Sequence, residues 1–158
     1  MDLRNLKYLH IVDKDRAKFV LKRGDILVNR TNSAELVGKC AVFDLERDFA
    51  FASYLIRLRL DTNKADPCLV AAYINSPADR AYMFSERKQM TGQANVNATK
   101  LRALPIALPK LAEQRRIVAE LDALRAEMDA VKRLQAETAT ELDALLPSIL
   151  DKAFKGEL

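Results

Sequence analysis

The sequence predicts an α+β protein: a small mixed α/β domain over residues 1–110, then a long coiled-coil-forming C-terminal helix over residues 111–158. Three observations carry this expectation. Short β-forming runs separated by Gly- and Asn-containing turns occupy the first part of the chain. Prolines open two helical stretches after them. From Leu111 onward, apolar residues alternate in steps of four and three, the spacing of a helix that pairs with another.

Asp25-Ile26-Leu27-Val28-Asn29-Arg30 is a short apolar run between Gly24 and a polar turn, Thr31-Asn32-Ser33. Leu36 to Phe43 is rich in β-formers and is expected to pair with it across that turn. Phe51 to Leu60 ends with Leu and Ile alternating with Arg, the period of a strand with one dry and one wet face. Arg57 and Arg59 share the wet one. Asp66-Pro67 then supplies an N-cap and a first-turn proline for a helix through Ile74. Asn75-Ser76-Pro77 breaks it and starts a second helix, Ala78 to about Met90, which carries Arg80, Arg87 and Lys88. Thr91 to Asn97 reads as a polar loop. Leu101 to Pro109 reads as an extended apolar segment, because its two prolines exclude a regular helix.

The pairing seam runs through Ile117, Leu121, Leu124, Met128, Val131, Gln135, Thr138, Leu142, Leu145 and Ile149. No glycine or proline interrupts Leu111 to Leu146, so that stretch makes a helix of roughly 54 Å at 1.5 Å per residue. Pro147 is expected to kink or end it, with Ser148 capping a short terminal helix. A helix this long cannot bury its whole seam on so small a domain, so it is expected to pair with another long helix. Gln135 in the seam lowers stability but helps to set register or partner choice.

Composition excludes several classes. Hydrophobic residues make up 49% and charged residues 30%, with four glycines and five prolines, which argues against disorder. No stretch nears the roughly 18 uninterrupted apolar residues of a membrane helix. Met1-Asp2-Leu3-Arg4 lacks the apolar core of a signal peptide, so a cytoplasmic protein is expected. Cys40 and Cys68 stand far apart and His10 is the only histidine, so no metal site or nucleophile–base pair is predicted. Asp13-Lys14-Asp15 reads as a solvated turn. No Gly-rich loop ending in Gly-Lys-Ser/Thr is present to cradle phosphates. Asn75-Ser76-Pro77-Ala78 does not match the Asn/Asp-Pro-Pro-aromatic tetrapeptide of amino-group methyltransferases. No catalytic residue and no cofactor is predicted. Charge is uneven: residues 1–110 carry 19 Lys/Arg against 12 Asp/Glu, a net +7, and residues 111–158 carry 7 against 10, a net −3. A basic front and an acidic tail suit a module that touches a polyanion with one part and protein with the other. Charge alone leaves ordinary surface charge as the other explanation.

Two segments together resemble the specificity subunit of type I restriction–modification systems. One is Leu21-Lys22-Arg23-Gly24-Asp25-Ile26-Leu27-Val28-Asn29-Arg30, continuing through Leu36-Val37-Gly38-Lys39-Cys40-Ala41. It resembles the Gly-Asp-Ile-Leu and Gly-Lys-x-Ala stretch of that family's target recognition domains. The other is Gly92 to Asn97, then Leu104-Pro105-Ile106-Ala107-Leu108-Pro109, then Glu113-Gln114-Arg115-Arg116-Ile117-Val118. It resembles the family's exit from the recognition domain into a spacer helix. Ile149 to Leu158 looks like the natural end of such a subunit. By the same comparison the chain is a half-size or truncated form, with one recognition domain lacking its usual N-terminal portion and one spacer helix instead of two.

The resemblance implies a non-catalytic subunit that reads double-stranded DNA and docks a methyltransferase (modification) subunit and, through it, a restriction subunit. The residues expected to reach base edges are Asn29, Arg30, Thr31 and Asn32 in the first turn and Gln93, Asn95 and Asn97 in the second. Arg80, Arg87 and Lys88 are the phosphate candidates. With one helix per chain, antiparallel self-pairing into a homodimer is the expected route to two recognition domains. The alternative is a shortened relative that keeps the helix as a protein-interaction adaptor and no longer reads DNA.

Overall fold

The computed structural model describes residues 7–33, 35–85, 88–90, 93–96 and 98–156. The chain divides into two compact units, the first ending at Arg115 and the second beginning at Arg116. The first is the mixed α/β unit, and the second belongs to one long helix.

The first unit opens with a helix absent from the sequence reading, α1 (Asp13–Phe19). Asp13 and Asp15, taken above for a turn, are its first turn, where carboxylates complement the helix dipole. Four strands follow: β1 (Ile26–Asn29), β2 (Thr31–Asn32), β3 (Cys40–Val42) and β4 (Leu55–Leu58). β1 is central in an antiparallel sheet of order β3-β1-β4, with Leu27 opposite Ala41 on one side and Arg57 on the other. The expected pairing of the two Gly-flanked runs is therefore present, in shorter form. Residues 35–38 stay in a turn, because Gly38 sits at φ 76, a left-handed conformation that ends the approach to the strand.

The unbroken apolar run of β1 has a simple cause: both of its faces are buried. Ile26 and Val28 point into the main core with Val37, Val70, Ile74 and Leu104. Leu27 points the other way, onto Leu21 and Phe43, and Phe43 meets Phe49 edge-on at 5.7 Å. The turn before β1 is pinned by Asp25, only 1% exposed. Its carboxylate takes the Lys22 N–H at 2.8 Å and both the Nε and an Nη of Arg59 at 2.7 and 2.6 Å. Gly24 just before it adopts φ +88, and an added Cβ would lie 3.6 Å from Pro67.

Helix α2 (Pro67–Ile74) begins where expected, with the Asp66 carboxylate accepting the Cys68 and Leu69 N–H groups at 2.8 and 3.3 Å. Asn75, at its end, grips the outer edge of β3. Its Oδ1 accepts the Cys40 N–H at 3.0 Å and its Nδ2 donates to the Cys40 carbonyl at 2.9 Å. A side-chain amide thus completes an edge strand as a further strand would. Asn75→Ala is expected to cost about 1–2 kcal/mol, two exposed hydrogen bonds, in urea denaturation, without changing the fold.

Two expectations are overturned next. Helix α3 covers Pro77–Ser85 and stops short of Met90, and residues 88–90 form strand β5 (Lys88–Met90). The supposed polar loop contains strand β6 (Gln93–Asn95), and Thr31-Asn32, read as a turn, is strand β2. These three make a second antiparallel sheet of order β2-β6-β5. Each segment is too short and too polar to announce itself by periodicity, and mutual backbone pairing overrides local preference. The segment that follows is helical at its start, in α4 (Ala98–Arg102), and irregular only from Ala103. Leu101 and Leu104 are buried in the main core.

Helix α5 runs from Leu111 to Lys155, 45 residues and about 67 Å at 1.5 Å per residue. Pro147 lies inside it, so no separate short helix starts at Ser148. A proline withdraws one N–H and crowds the Asp143 carbonyl four residues back, but intact turns on both sides carry the helix through. No helix among the described residues is long and apolar enough to cross a membrane.

Candidate nucleic-acid interface

The chain leaves the first sheet for the second at Arg30. The Asn29 N–H donates to the Lys39 carbonyl and its own carbonyl accepts the Gly38 N–H, at 2.9 and 2.8 Å, so Asn29 ends β1 firmly. The Arg30 N–H donates to the Tyr54 carbonyl, while the Arg30 carbonyl accepts the Val96 N–H, both at 2.9 Å. Arg30 itself is exposed, at a joint held by segments from two other parts of the chain.

Beyond that joint, the two groups of predicted base-reading residues are brought together. Thr31 lies opposite Asn95 and Asn32 opposite Ala94. Lys88, on the far side of β6, also lies opposite Asn95. Thr31, Asn95 and Lys88 therefore occupy one row across three strands, with Gln93 two residues along β6. Lys88 belongs to this sheet and not to the preceding helix, as the sequence had suggested. Asn32 spends its side-chain oxygen on the Ser33 N–H at 2.8 Å, which shapes the loop that follows. Arg87 and Asn97 lie outside the described residues.

Arg80 is placed differently. Its Nη2 donates to the Glu35 carbonyl at 2.8 Å, tying α3 to the loop after β2. Other cations of the first unit are likewise engaged. Arg16 pairs with Asp48, Arg23 with Asp44 at 2.6 Å, and Arg59 with Asp25. Arg57, read as lining a wet face, donates to the Val20 carbonyl at 3.1 Å and stacks over Phe51 at 5.3 Å. The net positive charge of this unit is thus partly locked into structural pairs.

Burial pushes the Cys40 thiol up to about 12, against smaller opposing effects of the Arg80 charge and the Asn75 hydrogen bond. A thiol held protonated in this way is a poor nucleophile. Asp25 goes the other way. Burial raises its carboxyl, but hydrogen bonds from Arg59 and the Lys22 N–H, with the charges of Arg59 and Arg57, outweigh that and hold it below the usual range.

One residue central to the architecture was not marked as such in the sequence. Gln114, in the first turn of α5, is 0% exposed. Its Oε1 accepts the Asp66 N–H at 2.8 Å, and its Nε2 donates to the Lys64 carbonyl at 2.9 Å and the Pro109 carbonyl at 2.8 Å. It anchors the start of the long helix to the loop that caps α2. The signal was present: extending the seam back one step of three from Ile117 lands on Gln114.

Comparison with known proteins gives the family. Residues 4–138 match the model of the type I restriction modification DNA specificity domain. The StySPI specificity subunit of Salmonella potsdam is 34% identical over 156 residues, covering 98% of this chain and 34% of the relative. The EcoKI specificity subunit of Escherichia coli strain K12 is 29% identical over 161 residues, covering 100% and 34%. The MjaX specificity subunit of Methanocaldococcus jannaschii, itself a putative type I restriction enzyme subunit by name, is 32% identical over 119 residues, covering 74% and 28%. The chain spans about a third of the length of these curated relatives. With the family model matched over most of its length, this chain belongs to the type I restriction–modification DNA specificity family.

Proposed function

We propose that the chain is a non-catalytic DNA-recognition component of a type I restriction–modification system, reading sequence through the β2-β6-β5 sheet and the Arg30 joint. The observation that carries this reading is the pairing of β2 with β6, which gathers Thr31, Asn32, Gln93 and Asn95, distant in sequence, onto one small polar sheet. Side-chain amides pair well with adenine edges and Arg with guanine, so Asn95, Gln93 and Arg30 form a chemically suitable reading set. Lys88 in the same row supplies a phosphate contact. Helix α5 docks a methyltransferase subunit, through which a restriction subunit joins, and it pairs with a second copy to give a homodimer. Two identical recognition domains related by a two-fold axis require a palindromic, interrupted target.

Selection of bound duplexes by the chain with its methyltransferase subunit supplies the target. Asn95→Ala and Gln93→Ala should each weaken binding to that target by about 5- to 150-fold while leaving random duplex nearly unchanged. Lys88→Ala should weaken both alike and shallow the salt dependence by about one phosphate. Equal losses on both duplexes for Asn95→Ala and Gln93→Ala would remove them from the reading set. No salt-dependent binding to any duplex, in the presence of the methyltransferase subunit, would favour the adaptor reading.

A further inference from the structure

Strand β2 is the edge of the second sheet and has only Thr31 and Asn32 to pair with β6. A polar strand this short specifies its own register weakly, so whatever holds its two ends decides where its side chains stand. The front end is held by main chain. The Tyr54 carbonyl accepts both the Arg30 and the Thr31 N–H, at 2.9 and 3.3 Å. The rear end runs into a tight turn. Asn32 Oδ1 accepts the Ser33 N–H, and the Ser33 carbonyl accepts the Leu36 and Val37 N–H groups at 3.1 and 3.0 Å, which delivers Val37 to the main core. Within that turn, Arg80 Nη2 donates to the Glu35 carbonyl at 2.8 Å.

Arg80 stands on a firm base. It lies in the first turn of α3, where the Ser76 hydroxyl accepts the Asp79 N–H at 3.2 Å and the Ser76 carbonyl accepts the Arg80 N–H at 2.9 Å. Just before it, Asn75 grips β3 at Cys40. The corner between α2 and α3 therefore reaches the connection from β2 to β3 twice, at Glu35 and at Cys40. The Arg80 guanidinium is turned toward the protein: its Nη1 is buried, and its charge is felt by the Cys40 thiol. A cation turned inward is badly placed to meet a phosphate, which lies outside the protein surface.

We infer that Arg80 is a positioning residue for sequence reading, one that contacts no phosphate and holds β2 through the Glu35 carbonyl, so that Arg30 and Thr31 keep their place beside Asn95. The inference rests on the DNA-reading role proposed above for the β2-β6-β5 sheet and adds the side chain that preorganises it. A reading set discriminates between bases only when its members are held in place before the duplex arrives. One hydrogen bond near the surface contributes little to the stability of the whole unit. Its loss is therefore felt in the turn and in target preference, and not in the fold.

Arg80→Met keeps the aliphatic stem and removes the donors. In the full chain with its methyltransferase subunit, this variant should weaken binding to the selected target about tenfold, with random duplex and the salt slope unchanged. Arg80→Lys keeps a donor for the one carbonyl and should recover most of the loss. Amide exchange supplies a readout without DNA: protection of the Val37 N–H should fall in Arg80→Met, while the Ile26–Asn29 amides keep theirs. Equal losses on both duplexes, with a salt slope shallower by about one, would make Arg80 a phosphate contact and overturn the inference. Unchanged target preference in Arg80→Met would overturn it too, and would leave the reading sheet standing. A parent chain that binds no duplex in a salt-dependent way would remove the DNA-reading proposal and this inference together.

Discussion

Gln114→Leu is expected to remove about 3–5 kcal/mol from the stability of the α/β unit. The substitution strands the Asp66 N–H and the Lys64 and Pro109 carbonyls against a fully buried side chain, at about 1–3 kcal/mol for each group left unpaired. Against a typical domain stability of about 5–15 kcal/mol this is a large share. Hydrogen exchange of the Ile26–Asn29 amides is the right measurement, because it reports the sheet separately from α5. Their protection should fall by more than a hundredfold, and unchanged protection would refute the anchoring role. Gln114→Glu tests the donor requirement. Its carboxylate would face two carbonyl oxygens, so the charged form is disfavoured in the folded state and its pKa there is raised. The penalty is full at neutral pH and disappears below the unfolded value of about 4.3. The gap between this variant and the parent should therefore narrow as pH falls.

Asp25→Asn is expected to cost about 2–3 kcal/mol at pH 7. Asn keeps the shape, but one of the two Arg59 contacts meets an NH₂ group and the remaining bonds lose their ionic strengthening. The figure sits below that for a fully buried pair because the Arg59 side chain is 37% exposed. The pH dependence gives an independent check. The folded Asp25 carboxyl has a lowered pKa, so near and below about pH 4 the unfolded chain takes up a proton there that the folded chain does not. The stabilisation is complete above the unfolded value and is lost as pH falls through the folded one. Urea midpoints measured from pH 6 to pH 3 should fall more steeply for the parent than for Asp25→Asn. Parallel curves would show that the pair contributes nothing through ionisation.

These two residues join by tertiary contact what the family motifs show as separate words. Asp25 reads in the sequence as the first residue of an apolar run after Gly24, and its carboxylate acquires a purpose only when Arg59 arrives from the end of β4. Glu113-Gln114 reads as the start of a helix, and Gln114 proves to be its fastening to the loop before α2.

The sequence alone determined the features whose signals are local. The apolar run of β1, the Asp66 cap, the proline starts and the α5 stretch from Leu111 to Leu146 all follow from patterns within a few turns of chain. The heptad seam also follows, since a period of 3.5 needs no partner to be visible. Tertiary structure decided the rest. Strands of two or three mostly polar residues carry too little pattern to be read, so β2 and β5 exist because β6 supplies a hydrogen-bonding edge to each. That pairing moved Lys88 from a helix to a sheet and set Thr31 beside Asn95. Segments carrying two clusters of candidate residues became neighbouring strands of one sheet because backbone groups far apart in the chain had to be satisfied together.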